Sequence, residues 1–240
     1  MSYYYKTVAL LPMKAHSARV RGKNFRNFAG KPLFRWILDT LLSLESIDKI
    51  IINTDARGIL EDNGLTGSDR VLIRDRRPEI CGDDVSMNLV IEDDLEAVNA
   101  ETFLMTHTTN PLLTCETIQQ ALDCYEKGVD EEGKDSLFTV NEHQTRFYRA
   151  DGSAVNHDPN KLLPTQELET WYEENSNLYI FSKESFKGTS ARIGKDPILF
   201  PTPTLESSDI DNATQWRIAE ILALADMLIQ TGHHTSTVSE

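Results

Sequence analysis

Thr7-Val8-Ala9-Leu10-Leu11, running into Pro12-Met13-Lys14-Ala15-His16-Ser17-Ala18-Arg19-Val20-Arg21-Gly22-Lys23-Asn24, is the stretch from which the fold can be read. Residues 7–11 have the composition of a buried strand, and the polar, basic loop that follows cannot continue it. Pro32 then opens a helix whose apolar stripe, Leu33, Trp36/Ile37, Thr40/Leu41 and Leu44, recurs with the 3.6 period. Lys49-Ile50-Ile51-Ile52-Asn53 is a continuous apolar run ending in Thr54-Asp55, as a strand buried on both faces requires. The alternation continues with a helix over 87–100, a strand over 102–106, a helix over 114–126 carrying Ile118, Leu122 and Tyr125 on one face, and a strand over 136–140. Strand–helix alternation of this kind predicts an open, mostly parallel α/β sheet with crossover helices. Ligands of such sheets collect at the carboxyl ends of the strands, which lines up the 12–24 loop, Thr54-Asp55 and residues 107–110 along one rim.

Residues 141–176 interrupt the rhythm with a polar stretch rich in Asn, Asp, Gln and Glu, read as an arm or hairpin rather than a second domain. The strand pattern resumes at Asn177-Leu178-Tyr179-Ile180-Phe181, a last helix is expected over 213–229, and 232–240 reads as a polar tail. The expected organisation is one domain over 1–231 with 141–176 as its arm. The chain has 240 residues with 24 Lys+Arg against 38 Asp+Glu, a net charge of −14, which argues against nucleic acid or an anionic membrane as a partner. Three cysteines without zinc spacing, no signal-like apolar stretch and no run long enough to span a bilayer make a cytoplasmic location the expectation.

Against that acidic background, Lys14, Arg19, Arg21, Lys23 and Arg26 put five cations within 13 positions, with Ser17, Gly22 and Asn24 among them. Clustered cations, backbone N–H groups and a short hydroxyl suit a triphosphate, although the Walker A spacing is missing and a solvated basic loop would look similar. Ser208-Asp209-Ile210-Asp211-Asn212 places two carboxylates two residues apart, on one side of an extended backbone, where they could share a Mg²⁺. Asp211 or Asn212 could equally do no more than cap the last helix. Arg77, held extended before Pro78, could present its guanidinium to a base or phosphate, or could simply balance nearby acids. His107-Thr108-Thr109-Asn110-Pro111 follows an inner strand, where polar groups either orient a substrate or make an ordinary turn.

Taken in order, these segments resemble the cytidylyltransferases that activate nonulosonic and related 2-keto-3-deoxy sugar acids, with CMP-Kdo synthetases as more distant relatives. The resemblance is carried by Ser17…Gly22-Lys23-Asn24…Gly30-Lys31-Pro32-Leu33, Asn53-Thr54-Asp55, Arg77-Pro78, Thr109-Asn110-Pro111-Leu112, Asn175…Tyr179-Ile180-Phe181 and Asp209-Ile210-Asp211. It implies a Rossmann-like sheet of the nucleotide-diphospho-sugar transferase type, a Mg²⁺ cofactor, CTP and a sugar acid as substrates, and a homodimer joined through the arm. By the same resemblance Lys14, Ser17, Arg19, Lys23, Asn24, Arg77 and Asn88 are nucleotide-binding. Asp209 and Asp211 are the metal ligands, and with Lys14 and Lys23 the catalytic set. His107, Thr109, Asn110, Gln166, Tyr172 and Asn175 fall to the substrate side.

The departures from the family pattern are Ala18 for a lysine, Arg21 for a proline, Leu113 for an arginine, and Glu173 for an arginine that helps hold the sugar acid. The last two fall in the acceptor half and weaken the case for N-acetylneuraminate. Two other functions fit parts of the pattern: a GT-A-like glycosyltransferase, for which Asp209-Ile210-Asp211 is a DxD, and a non-catalytic nucleotide-binding homologue.

Overall fold

The computed structural model of the chain describes residues 4–17, 20–161 and 163–235. Its nine described strands are β1 (Tyr4–Leu10), β2 (Asn27–Phe28), β3 (Lys31–Pro32), β4 (Lys49–Thr54), β5 (Val71–Asp75), β6 (Asn99–Thr106), β7 (Ser136–His143), β8 (Trp171–Phe181) and β9 (Pro197–Pro201). The helices are α1 (Leu33–Ser43), α2 (Arg57–Asp62), α3 (Met87–Ala97), α4 (Cys115–Glu132), α5 (Lys183–Thr189) and α6 (Ala213–Thr235). Seven strands form one sheet in the order β5-β4-β1-β6-β8-β7-β9, and β2 and β3 pair separately. The β5–β4, β4–β1, β1–β6 and β7–β9 pairs are parallel, whereas β8 runs antiparallel to both its neighbours.

Alternation along β1 explains the layers. Val8 and Leu10 join Ile91 and Leu95 of α3 and Phe186 of α5 on one face of the sheet. Ala9 and Leu11 meet Phe34, Ile37 and Leu38 of α1 and Ile118 and Leu122 of α4 on the other. Both faces of β1 therefore pack against helices, and its continuous apolar run follows from burial on both sides. From β1 the chain goes by α1 to β4 and then β5 on one flank, and afterwards crosses to β6 on the opposite flank of β1. The strand order thus reverses between β1 and β6, the place where an open α/β sheet leaves a crevice at its carboxyl edge.

A third apolar cluster lies outside the sheet, where Ile210, Trp216, Ala219 and Ala223 pack on Val20, Phe28, Ala29 and Leu33. Phe28 meets Trp216 edge-on at 5.3 Å and Trp36 at 5.7 Å, and the Arg26 guanidinium lies 4.7 Å from the Trp216 ring. This cluster docks α6, and the segment that precedes it, onto the loop after β1. The helix extends to Thr235, past the expected end at 229, and 236–240 of the expected tail lie outside the described residues.

The 141–176 excursion is the far end of the β7–β8 hairpin. The ladder continues through Asn141↔Glu173, Glu142↔Tyr172 and His143↔Trp171, and Phe147 stacks on Trp171 at 5.5 Å. Between the Phe138↔Tyr179 and Val140↔Glu174 pairs, the single residue Thr139 faces residues 175–178. Ser176, at φ 58°, carries the turn of this wide bulge. Among the described residues, no helix is long and apolar enough to cross a membrane.

Candidate active site

The loop after β1 owes its shape to a ladder that outlasts the strand. Leu11 N donates to Ile51 O at 2.8 Å, Met13 N to Asn53 O at 3.0 Å, and Ala15 N to the Asp55 carboxylate at 2.7 Å. Arg76, buried, closes this from beneath: its Nη2 donates to Met13 O (3.2 Å) and Asn53 O (2.9 Å), and its Nε to Asn53 Oδ1 (3.0 Å). Asn53 in turn donates to Asp93 (3.0 Å) and Asp94 (2.8 Å) of α3. Burial pushes the Asp94 carboxyl up to about 6 despite bonds from Asn53 and Arg74. Further along, Gly22 sits at φ 62°, a left-handed position that strains any residue with a Cβ, and its carbonyl accepts from Phe25 and Arg26 at 3.0 Å. The turn brings Lys23 and Asn24 back toward the strand ends.

The carboxylate segment is clamped between two loops. Ile210 N donates to Thr109 O at 3.0 Å, and Lys23 Nζ donates to Ile210 O at 2.7 Å while lying 3.7 Å from the Asp211 carboxylate. The capping alternative resolves in favour of Asn212, whose Oδ1 accepts from Thr214 N and Gln215 N at 3.0 Å. Asp211 does not cap: its backbone N–H donates to Gln215 Oε1 at 2.8 Å, and its side chain lines the cavity.

A cavity of about 350 Å³ lies at the β1/β6 reversal. Of the residues expected from sequence, Lys14, Ser17, Lys23, Asn24, His107, Thr109 and Asp211 line it. Lys14 Nζ meets Asp83 at 2.7 Å and holds that carboxyl below its usual range. Asn24 is buried, bonded from its Nδ2 to Lys14 O (2.9 Å) and accepting at Oδ1 from Thr108 Oγ1 (2.7 Å), so it fixes the loop as well as lining the site. A larger cavity of about 770 Å³ opens near the amino ends of β1 and β6, beside Lys6, Glu101, Glu126 and Glu184. It gathers none of the site residues expected from the sequence, so the smaller cavity is the candidate site.

The other expected residues stand elsewhere. Arg19 lies outside the described residues. Arg77 is half exposed and paired with Asp93 at 2.6 Å, and Asn88 uses its backbone N–H to complete the Ser86 cap of α3. Asn110 is buried and donates to Asn177 Oδ1 at 2.5 Å, while Asn175 donates to Asn141 and Thr202, so both belong to the polar bulge beneath the site. Gln166 and Tyr172 are exposed on the arm and do not line this cavity. Glu173 pairs with His143 at 2.9 Å, also on the arm. Thr108, inside the expected 107–110 segment, and Asp83, in the acidic stretch that follows Arg77-Pro78 in the sequence, also line the cavity, whereas Met87 was not expected there and nothing in the pattern separates it from a surface residue.

His107 is half-buried, and burial together with the charges of Arg192 and Lys23 pushes its pKa down to about 3 from 6.5. It is therefore neutral around pH 7, able to exchange hydrogen bonds but a poor proton acceptor. Because the unfolded chain binds this proton between pH 6.5 and 3 and the folded chain does not, the group's contribution is full above 6.5 and is lost as pH falls toward 3. The stability difference between the wild type and His107→Gln should therefore shift against the wild type on going from about pH 7 to about pH 4. Denaturant titrations giving one constant difference across that interval would contradict the assignment.

The residues also permit a test of the divalent metal implied by the resemblance. Asp211 lines the cavity whereas Asp209, two residues before it, does not, so the structure brings one of the two expected carboxylates to the site; a hard oxygen donor there suits Mg²⁺, which takes one or two carboxylates and completes its shell with water and phosphate. Among the described residues no group of three or more His, Cys, Asp or Glu is placed to bind a metal.

The chain is similar to known proteins over most of its length. The chain is 24% identical over 195 residues to the pseudaminic acid cytidylyltransferase of Campylobacter jejuni, covering 79% of this chain and 73% of that one. It is 24% identical over 228 residues to the CMP-N,N'-diacetyllegionaminic acid synthase of Legionella pneumophila, covering 90% and 96%. A solved CMP:2-keto-3-deoxy-manno-octonic acid synthetase in complex with CTP superposes with a TM-score of 0.61 at 12% identity, over 93% of this chain and 99% of the other. The pattern that defines the cytidylyltransferases runs from residue 8, on β1, to residue 211, the carboxylate beside Lys23, and by that match the chain belongs to the cytidylyltransferase family.

Proposed function

We propose that the chain transfers the cytidylyl group of CTP to the anomeric hydroxyl of a 2-keto-3-deoxy sugar acid. The observation that carries this reading is the convergence of Lys14, Ser17 and Lys23 from the loop after β1, His107 and Thr109 from the loop after β6, and Asp211 in one cavity at the strand-order reversal. The sequence relatives act on acids of this class. The acceptor oxygen attacks the α-phosphorus, the bond from that phosphorus to the β-phosphate oxygen breaks, pyrophosphate leaves and the hydroxyl proton passes to solvent.

In this reading Lys14 and Lys23 neutralise the triphosphate and its developing charge, a role suited to fixed cations in a partly enclosed site. Ser17 and the backbone around Gly22 orient the phosphates, with Arg19 and Arg77 as further nucleotide contacts. Asp209 and Asp211 would hold Mg²⁺, which supplies charge neutralisation on the phosphoryl oxygens when bound. Neutral His107 and Thr109 orient the acceptor by hydrogen bonding. The exposed Tyr148, Trp171 and Tyr172 make the arm the surface for a second copy of the chain, as the resemblance implies. Lys23 reaching from the loop to Asp211 gives that loop a purpose that a glycosyltransferase DxD reading lacks.

The test is product identity. Incubation with CTP, Mg²⁺ and a panel of nonulosonic acids and Kdo should give one acid whose mass rises by that of a CMP residue. CTP binding without such a product across the panel would overturn the acceptor class.

A further inference from the structure

Arg76 follows the last residue of β5, and its backbone N–H donates to Thr54 O at 2.8 Å, one step beyond the β4–β5 ladder. In the order β5-β4-β1 its side chain must pass the end of β4 to meet the loop after β1, a reach of two strand spacings, or about 10 Å. Nη2 donates to Asn53 O at 2.9 Å and to Met13 O at 3.2 Å, and Nε to Asn53 Oδ1 at 3.0 Å. The residue is 8% exposed, yet among the described residues no carboxylate lies in ion-pair range of it, since Asp93 and Asp94 pair with Arg74 and Arg77. A buried cation that touches only neutral oxygens costs more than an apolar side chain of the same length, so packing does not account for it. What the guanidinium supplies is a rigid planar fork that holds two oxygens of β4 and one carbonyl of the loop in fixed relation.

That carbonyl belongs to the peptide group joining Met13 to Lys14. The backbone around Lys14 is pinned on both sides: Met13 N donates to Asn53 O at 3.0 Å, Lys14 O accepts from Asn24 Nδ2 at 2.9 Å, and Ala15 N donates to Asp55 at 2.7 Å. Of these anchors, Arg76 is the one that comes from β5, and it locks the loop to a second strand. The Lys14 side chain itself is 42% exposed, lines the cavity and meets Asp83 at 2.7 Å. A long side chain reaches a defined place only if its Cα does, so the order of this ammonium is set by the peptide groups beneath it.

We propose that Arg76 is a positioning residue, fixing the Met13–Lys14 peptide group so that the Lys14 ammonium stands where the triphosphate binds. This rests on the function proposed above and adds to it a residue outside the cavity that acts on the nucleotide only through Lys14. Asn53 carries the constraint on to Asp93 and Asp94 of α3, and Met87 at the start of that helix lines the cavity. Loop and helix, both facing the nucleotide, are thus held by one hydrogen-bonded unit.

The test is a double-mutant cycle on CTP affinity, read by calorimetry with Mg²⁺ and no acceptor. Lys14→Met should weaken CTP binding by about 10- to 100-fold, the loss of one charge-assisted contact. Arg76→Met, which keeps the stem and removes the donors, should weaken it by about tenfold, and Arg76→Lys, whose ammonium cannot hold all three oxygens, by less. In the Lys14→Met background the effect of Arg76→Met should fall below about twofold, because residues that act through one contact are not additive. A merely structural role would lower the unfolding temperature while leaving the CTP affinity of the folded protein intact, or would act equally in both backgrounds. Either result overturns the assignment.

Near-UV circular dichroism reports whether Arg76→Met is folded. If it is not, Arg76→Lys carries the same cycle: a loss of affinity that disappears without Lys14 supports the assignment, and a loss that persists, or no loss, overturns it. A wild type that binds no CTP refutes the proposed function and this assignment with it. A wild type that binds CTP, with Arg76 and Lys14 acting independently, refutes only this assignment.

Discussion

Replacing Lys23 by methionine is expected to lower kcat/KM for CTP by about a hundred- to a thousandfold, the range found when one preorganised charge-stabilising donor is removed. The side chain is only 12% exposed, and its ammonium bridges two elements, donating to Ile210 O at 2.7 Å and lying 3.7 Å from Asp211. Its loss removes a cation from the cavity and at the same time unties the loop after β1 from the segment before α6. Methionine keeps the aliphatic stem, so the third apolar cluster, built on Phe28, Ile210 and Trp216, should survive. Pyrophosphate release at saturating acceptor measures the effect, with thermal unfolding as the control for folding. A kcat/KM close to wild type would mean that Lys23 serves only to dock α6.

The second large effect is expected at Asp211. Asp211→Asn should reduce Mg²⁺-stimulated turnover by about a thousandfold, because the amide cannot supply the anionic oxygen that a hard divalent cation prefers. The fold should tolerate the change. Asn212 caps α6, the Asp211 backbone N–H keeps its bond to Gln215, and Ile210 remains anchored by Thr109. Titration of activity against Mg²⁺, beside an unfolding curve, separates the two outcomes. Wild-type-like turnover in a folded Asp211→Asn protein would remove this carboxylate from metal binding.

These two residues also show how far sequence alone reaches. The basic loop stands out because five cations interrupt a chain of net charge −14, and the buried run before it places that loop at a strand end. The pairing of β1 with β4, by contrast with that of β1 with β6, follows the order of the chain; that β6 crosses to the far side of β1 is a property of topology which no local pattern records. The apolar run of β8 likewise carries no sign of its direction, and its antiparallel insertion between β6 and β7 went unread.

Edge strands were the least legible. In β5 the burial alternates and Arg74-Asp75 ends the run, while β9 is bounded by Pro197 and Pro201, which an edge position tolerates because one side of the strand needs no partner. Neither produces the continuous apolar signal of β1 or β4. Neighbouring residues of one type exchange roles for a similar reason. Sequence favoured Arg77, next to Pro78, but the guanidinium that ties the loop after β1 to β4 is that of buried Arg76, while Arg77 faces Asp93 from a half-exposed position. Asp211 and Asn212 were interchangeable as helix caps until the two bonds to Asn212 Oδ1 distinguished them.

Pyrophosphate release with Mg²⁺, each of the four nucleoside triphosphates in turn, and each sugar acid present or omitted tests the central claim most directly. The account predicts release with CTP alone among the four and only when one particular acid is present. Release that is independent of the acid, or that is supported equally by the other triphosphates, would contradict it.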